Sequence, residues 1–388
     1  MSVINLLADL VAINSTNASM PDGAGEAEIA RFVADFGERL GAEVTREEAL
    51  PSRPNVFVSL PATRLTSDEA PQPLLFDVHL DTVPLAPMPD ALSPTIRDGR
   101  IWGRGTCDTK GSLAAALSAL QRLAAEGGER QREVLLLGTV DEEFRKRGVR
   151  DAMAQGLTAD AAIVGEPTNL RPVVAHKGAV RWRTTTIGKA AHTSRPENGN
   201  NAIVQMMEVL RMIREQIEPG LAAQTHPLLT PPTLTVGRIE GGVGVNVVPE
   251  RCWAEFDRRT LPGEDPDQIL AEIDAAMRDL MAARPSVRVE RDPPFLSERG
   301  LETPVDAPVV RAAQRACRKV LGADAPVSPA GVPYGTDATA LAGIASVVLG
   351  PGDIAQAHSA DEWVEVAQVE AAVEIYYEVM RGWAAGEW

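Results

Sequence analysis

Only three cysteines, Cys107, Cys252 and Cys317, and five histidines occur in 388 residues. The cysteines are odd in number and far apart. That excludes a disulfide framework and a zinc-ribbon spacing, and predicts a reducing, cytoplasmic setting. Basic blocks of useful length are missing, and the net charge is −16. A phosphate backbone needs a positive footprint, so a nucleic-acid partner is excluded and the acidity is read as favouring solubility. No run approaches about 18 uninterrupted apolar residues, which excludes a membrane-spanning helix. The stretch "MSVINLLADLVAINSTN" lacks a charged leading region and a cleavage site. It predicts a short amphipathic helix rather than a signal peptide. Nucleophile and phosphate motifs are absent too. There is no G-x-S-x-G elbow, and "GRGTCDTKGS" places Thr109-Lys110-Gly111 where a phosphate loop needs Gly-Lys-Ser/Thr. "EGGVGVN" lacks the third glycine of a dinucleotide fingerprint. A side-chain nucleophile is therefore not expected.

What the sequence does contain is 44% hydrophobic and 24% charged residues, which suits a globular chain of two domains or more. The first part alternates helical patterns at 2–13, 24–40 and 111–127 with strands near 54–60, 74–81, 133–140 and 161–165. Near-continuous apolar strands separated by helices predict an α/β fold, a mostly parallel (mixed) sheet sandwiched by helices. Residues 61–73 read as a surface loop. From residue 179 the rhythm changes to strand, helix (201–218), strand, strand, helix (266–283), strand. That βαββαβ order is the ferredoxin-like unit. A helix near 307–321, the strand "ASVVLGPG" and a last helix at 366–385 then resume the α/β character. The expected organisation is a discontinuous α/β domain, 1–178 and 293–388, carrying an inserted domain, 179–292.

In open α/β sheets, ligands gather beyond the carboxyl ends of the strands. "LLFDVHLDTVP" alternates with a period of two and places His79 and Asp81 on one face before Pro84. "GRGTCDTKG" sets Asp108 just ahead of a helix. "LLLGTVDEE" ends in Asp141, Glu142 and Glu143, "AAIVGEPT" in Glu166, and "VVLGPGDIAQAHS" leads to His358. Each alone has an ordinary explanation: an N-cap at Asp108, a solvated acidic turn, a surface histidine. Five separate segments converging on imidazole and carboxylate point instead to metal-ligand chemistry.

"HLDTVP", "GRGTCDTKG", "DEE", "GEPT", "AAHTSRPENGNNAI", "FDRRTLPGE", "GTDA" and "GPGDIAQAHSADEWV", in this order, resemble the co-catalytic di-zinc amidohydrolases and exopeptidases. That family includes acetylornithine deacetylase, succinyl-diaminopimelate desuccinylase, aminoacylase and carboxypeptidase G. The resemblance runs nearly end to end and includes the inserted domain. It implies two Zn2+ ions, with Co2+ or Mn2+ as alternatives, since ligand type alone does not fix the metal. His79 and Glu166 would hold one ion, Glu143 and His358 the other, and Asp108, followed by a cis peptide bond, would bridge them. Two such ions can share a hydroxide and polarise an amide carbonyl. Glu142 would be the general base, and Asp81 would orient His79 through its other ring nitrogen.

The same resemblance implies that the inserted domain is a lid that dimerises. His192 would stabilise the oxyanion across that homodimer, and Arg259, rather than Arg258, would bind the substrate carboxylate. Asn246, Gly335 and Thr336 are further polar contacts. No chemistry is assigned to His176 or His226. "GTCD", "GEPTNLRPVVAHKG" and "GPGDIAQAHSADE" lean toward an acetylornithine deacetylase-like deacylase of small N-acyl-L-amino acids or dipeptides. Asp337 and the basic Arg145-Lys146-Arg147 run depart from that pattern. Succinyl-diaminopimelate desuccinylase, a dipeptidase or carboxypeptidase, and a non-catalytic metal-binding relative stand as alternatives.

Overall fold

The computed structural model describes residues 2–64 and 71–387, so part of the expected 61–73 loop lies outside the described residues. The chain divides into two compact units. The first comprises 1–174, 303–330 and 336–388; the second comprises 175–302 and 331–335. Residues 293–302 stay with the second unit because Leu296–Glu298 pairs with the strand Gly178–Ile187.

In the first unit the strands run in the order Glu43–Leu50, Arg53–Leu60, Val134–Thr139, Leu74–His79, Ala161–Val164, Ala345–Val348. The last four pair in parallel, and the first two pair antiparallel at the edge. Every residue of Leu74–His79, Val134–Thr139 and Ala161–Val164 is buried, as strands covered on both faces must be. The Ala- and Leu-rich segment Lys110–Glu126 is a strong helix former and packs on Val366–Ala384. It ends where Gly127 turns to a positive φ of 63°. Phe76 and Tyr376 meet edge to face at 5.3 Å and join the sheet to the last helix. The expected strand 74–81 stops at His79. Asp81 therefore lies beyond the strand, just before the isolated bridge between Thr82 and Thr16, and Leu80 N bonds to Thr139 O.

The second unit has the βαββαβ order, with strands Thr233–Gly241, Arg251–Thr260, Gly178–Ile187 and Val289–Arg291 side by side, all antiparallel. Val180, Trp182, Met206, Phe256, Ile273 and Met277 form its core. Trp182 and Phe256 stack at 5.3 Å with 12° between planes. The helix expected over 201–218 is Ala202–Met212, then a wider π turn over Ile213–Ile217, then Glu218–Ala222. Pro219 offers no amide to a continuing ladder, and it sits in the first turn of the restarted helix. Among the described residues, no helix is long and apolar enough to cross a membrane.

Candidate metal centre

Asp108 is the centre of the arrangement. Its Oδ1 lies 3.0 Å from His79 Nε2, and its Oδ2 lies 3.3 Å from His358 Nε2. One carboxylate thus faces two imidazoles brought from chain positions 79 and 358. Glu166 Oε1 lies 3.7 Å from His79 Nε2, and Glu143 Oε2 lies 2.9 Å from His358 Nε2. Single donor atoms of His79, Glu142 and Glu166 lie within 4.8 Å of one another, as do those of His79, Asp108 and Glu143. All these residues belong to the first unit. His79, Asp108, Glu142 and Glu166 are buried, while the His358 ring is half exposed.

Local structure explains the placement. Asp108 does not cap the helix that follows; it is joined to Thr109 by a cis peptide bond, and its side chain turns to the histidines. The buried Glu362 carboxylate accepts the amides of Gly105, Cys107 and Asp108 at 2.9, 2.9 and 3.0 Å. Arg104 donates to the same carboxylate at 2.7 Å. Gly105 has φ 82°, and a Cβ there would sit 2.8 Å from the Thr82 side chain, so glycine is required.

Asp81 meets the other ring nitrogen of His79 as expected, but with its backbone carbonyl rather than its carboxylate. The second ring nitrogen of His79 bonds to the Asp81 backbone carbonyl at 2.9 Å, whereas the carboxylate is 3.7 Å away. That carboxylate instead accepts the amides of Glu142 and Glu143, at 3.0 and 3.1 Å, and the Asn17 side-chain amide at 2.6 Å. Asp81 lies beyond the strand end, where its backbone carbonyl rather than its carboxylate meets the imidazole. Asn17, in turn, accepts from Arg53, which is paired with buried Glu26 and Asp141. None of Asn17, Glu26, Arg53 or Glu362 was legible as a site residue. Their roles are contacts across 27 to 258 positions, which no local pattern encodes.

Electrostatics match a site built for cations. Burial lifts the Glu143 carboxyl to about 8, aided by the charge of Asp108. Burial and Asp108 also hold Glu166 well above the carboxylate range. Burial alone would lower the His79 imidazole, but the Asp108 hydrogen bond and the charges of Glu166 and Asp108 keep it well above its ordinary value. Hydrogen bonds to Asp108 and Glu143 push His358 to about 11. Asp108 itself is held below the usual range: burial would raise it, and its two histidine partners overcome that. Buried Asp77 and Asp337 flank the Thr139 hydroxyl, which donates to Asp337 Oδ2 at 2.8 Å. Burial raises Asp77 to about 7 and Asp337 well above its ordinary value. Imidazole nitrogens and like-charged carboxylates crowded together are a donor set for divalent metal. The residues fit such an ion.

The remaining candidates make local contacts of their own. Thr336 is a buried residue of the first unit and caps the short helix Asp337–Thr339. In the second unit, His192 is exposed, and its Nδ1 bonds to Ser194 at 2.8 Å. Asn246 is exposed and Gly335 half-buried. Arg258 is buried and locked to Glu264, whereas Arg259 is partly exposed and pairs with Asp257 at 3.2 Å. His176 is buried, its Nδ1 against Lys177 O, and His226 lies 3.2 Å from Glu302.

Comparison with known proteins decides the family. Residues 75–382 match the model of peptidase family M20/M25/M40. The chain belongs to that family. It is 33% identical over 345 residues to the acetylornithine deacetylase of Myxococcus xanthus, covering 85% of each chain. Aminopeptidase PepT from Bacillus cereus shares the fold, with a TM-score of 0.79, 22% identity and 98% of each chain covered. So does a Bacillus subtilis protein described as a dinuclear metal binding peptidase of family M20, with a TM-score of 0.72, 14% identity and 97% and 96% coverage. This M20 member is a metallohydrolase acting on amide or peptide bonds.

Proposed function

We propose that this M20 hydrolase removes the acyl group from a small N-acyl-L-amino acid, as an acetylornithine deacetylase-like deacylase. The observation that carries the reading is Asp108, whose two oxygens face His79 and His358 separately. On that basis His79 and Glu166 would hold one divalent ion, Glu143 and His358 a second, and Asp108 both. Zinc suits these donors, with Co2+ or Mn2+ as alternatives. Two bound cations supply the Lewis acidity that activates the attacking water and polarises the amide carbonyl.

The chain's own residues do the rest. Glu142, buried beside His79 and Glu166, takes the water proton and returns it to the departing amine. Asp81 fixes His79 with its carbonyl and the Glu142 and Glu143 amides with its carboxylate, so a single residue sets both base and ligand. Arg259 is assigned to the substrate carboxylate and His192 to the oxyanion, with Asn246, Gly335 and Thr336 as polar contacts. A homodimer through the second unit is part of this reading. Two features support it: the edge strand Thr233–Gly241 exposes Val236 and Ile239, and Ala202–Met212 exposes Val204 and Met207.

The test is a panel of N-acetyl, N-formyl and N-succinyl amino acids and dipeptides, assayed with Zn2+, Co2+ or Mn2+ added back. N-acetyl amino acids are expected to turn over fastest. Preference for N-succinyl substrates or dipeptides would replace the acyl assignment. Glu142→Ala should abolish turnover with metal content unchanged, and wild-type rates in that variant would sink the mechanism.

A further inference from the structure

The run Arg145-Lys146-Arg147 follows the acidic turn directly, and its three side chains have three fates. Arg147 is committed to the buried Asp141 carboxylate, at 2.5 and 2.8 Å, and to the Ser19 hydroxyl at 2.7 Å. Arg145 is exposed and stands over the Phe144 ring. Lys146 turns inward: its Nζ lies 2.9 Å from Glu142 Oε1, and its side chain is only 13% exposed. The backbone holds it there. The Asp141 carbonyl accepts the amides of Phe144, Arg145 and Lys146 at 3.4, 3.1 and 2.7 Å, closing a tight turn. Both ends of that turn are left-handed, Asp141 at φ 70° and Lys146 at φ 53°. A residue with a Cβ persists in that region only where its surroundings over-determine it.

Glu142 needs such a partner. On distance alone it is a third donor beside His79 and Glu166, all within 4.8 Å of one another. A carboxylate oxygen committed to a divalent cation is not free to accept the proton of the attacking water. An ammonium hydrogen-bonded to one oxygen competes for that carboxylate by charge and fixes its orientation. We propose that Lys146 is a positioning residue that withholds Glu142 from the metal pair and so keeps it as the general base. This rests on the assignment of Glu142 above, and adds the group that separates base from ligand. It also gives the departure from the family pattern at 145–147 a function.

The experiment compares the full-length wild type with Lys146→Met, Lys146→Arg and Lys146→Gly after stripping metal. Zn2+ is titrated against a chromophoric chelator, and Co2+ binding is followed by visible absorption. The Gly variant favours the left-handed backbone, so a folding defect of the Met variant does not decide the outcome. Removing the ammonium should tighten Zn2+ binding at least about tenfold. The Co2+ bands should weaken as a ligand is added. For the best substrate, kcat should fall at least about tenfold, with KM within about twofold. Lys146→Arg should restore all three. Zn2+ affinity and Co2+ spectra that are unchanged, or affinity that weakens, in both the Met and Gly variants would overturn the inference. If the wild type hydrolyses no N-acyl amino acid or dipeptide, the reaction assignment fails, and the metal titrations still decide Lys146.

Discussion

The first unit buries His79, Glu142 and Glu166 at or just beyond strand ends and Asp108 in the turn before a helix. The second buries Trp182, Phe256 and Met206 and leaves Val243 and Val245 90% and 101% exposed. Each unit breaks the usual inside-outside rule in its own direction. Crowding carboxylates in low dielectric costs stability unless they are paired, protonated or bound to a cation. Exposed valines cost little in a monomer and gain value only when something covers them. The first departure marks a site for ions and the second marks a surface.

The largest effect should come from the residue that faces both histidines. Asp108→Ala should empty both metal positions and lower kcat/KM by roughly a thousandfold or more. Plasma emission analysis of bound metal and a rate assay check this. The ordinary core of the second unit offers the contrast. Phe256→Ala removes the partner of Trp182 and should cost about 3–5 kcal/mol in calorimetric unfolding. Metal content of the folded protein should stay at the wild-type level. If metal were lost as well, the contrast between the units would collapse.

Glu362→Gln keeps the shape of the side chain but weakens its grip on three amides of the Asp108 loop. Metal affinity should fall about 10–100-fold, measured by chelator competition, with the fold intact. A smaller, pH-dependent effect follows from the crowded acids. In the metal-free protein Glu143, raised to about 8, Asp77, raised to about 7, and Asp81, raised to about 6, hold protons that the unfolded chain has released. Such groups contribute full stability below about pH 4 and lose it as pH rises through 6–8. The melting temperature of the stripped protein should therefore fall between pH 5 and 8, and Zn2+ should raise it more at pH 8 than at pH 6. Met207→Glu should change monomer stability by no more than about 0.5 kcal/mol. Sedimentation should nonetheless show a dimer converted to monomer. A monomeric wild type would remove the surface half of the comparison.

The second unit was the more legible of the two from local pattern, because its strands and helices alternate polar and apolar residues at their own periods. Helix 266–283 was read to the residue. The hairpin Thr95–Arg97 with Arg100–Trp102 was not expected, since three-residue strands carry too few alternations to register. In the first unit, His79, Asp108, Glu142, Glu143, Glu166 and His358 drew notice together because several segments end in imidazole or carboxylate, and the family resemblance singled out five of them as ligands. Asn17, Arg53 and Glu362 did not, because a buried polar residue looks the same in sequence as an exposed one.

By itself, then, the sequence determined which donors exist and that they lie where the hydrophobic periodicity of strands and helices breaks off. Only the tertiary structure decided how those donors divide their work. It put Asp108 between two imidazoles, moved the Asp81 carboxylate from His79 to two amides, and gave Lys146 to Glu142. Those assignments are distances of about 3 Å between residues up to 250 positions apart. Hydrogen bonding and charge pairing act at that range, and chain order does not record it.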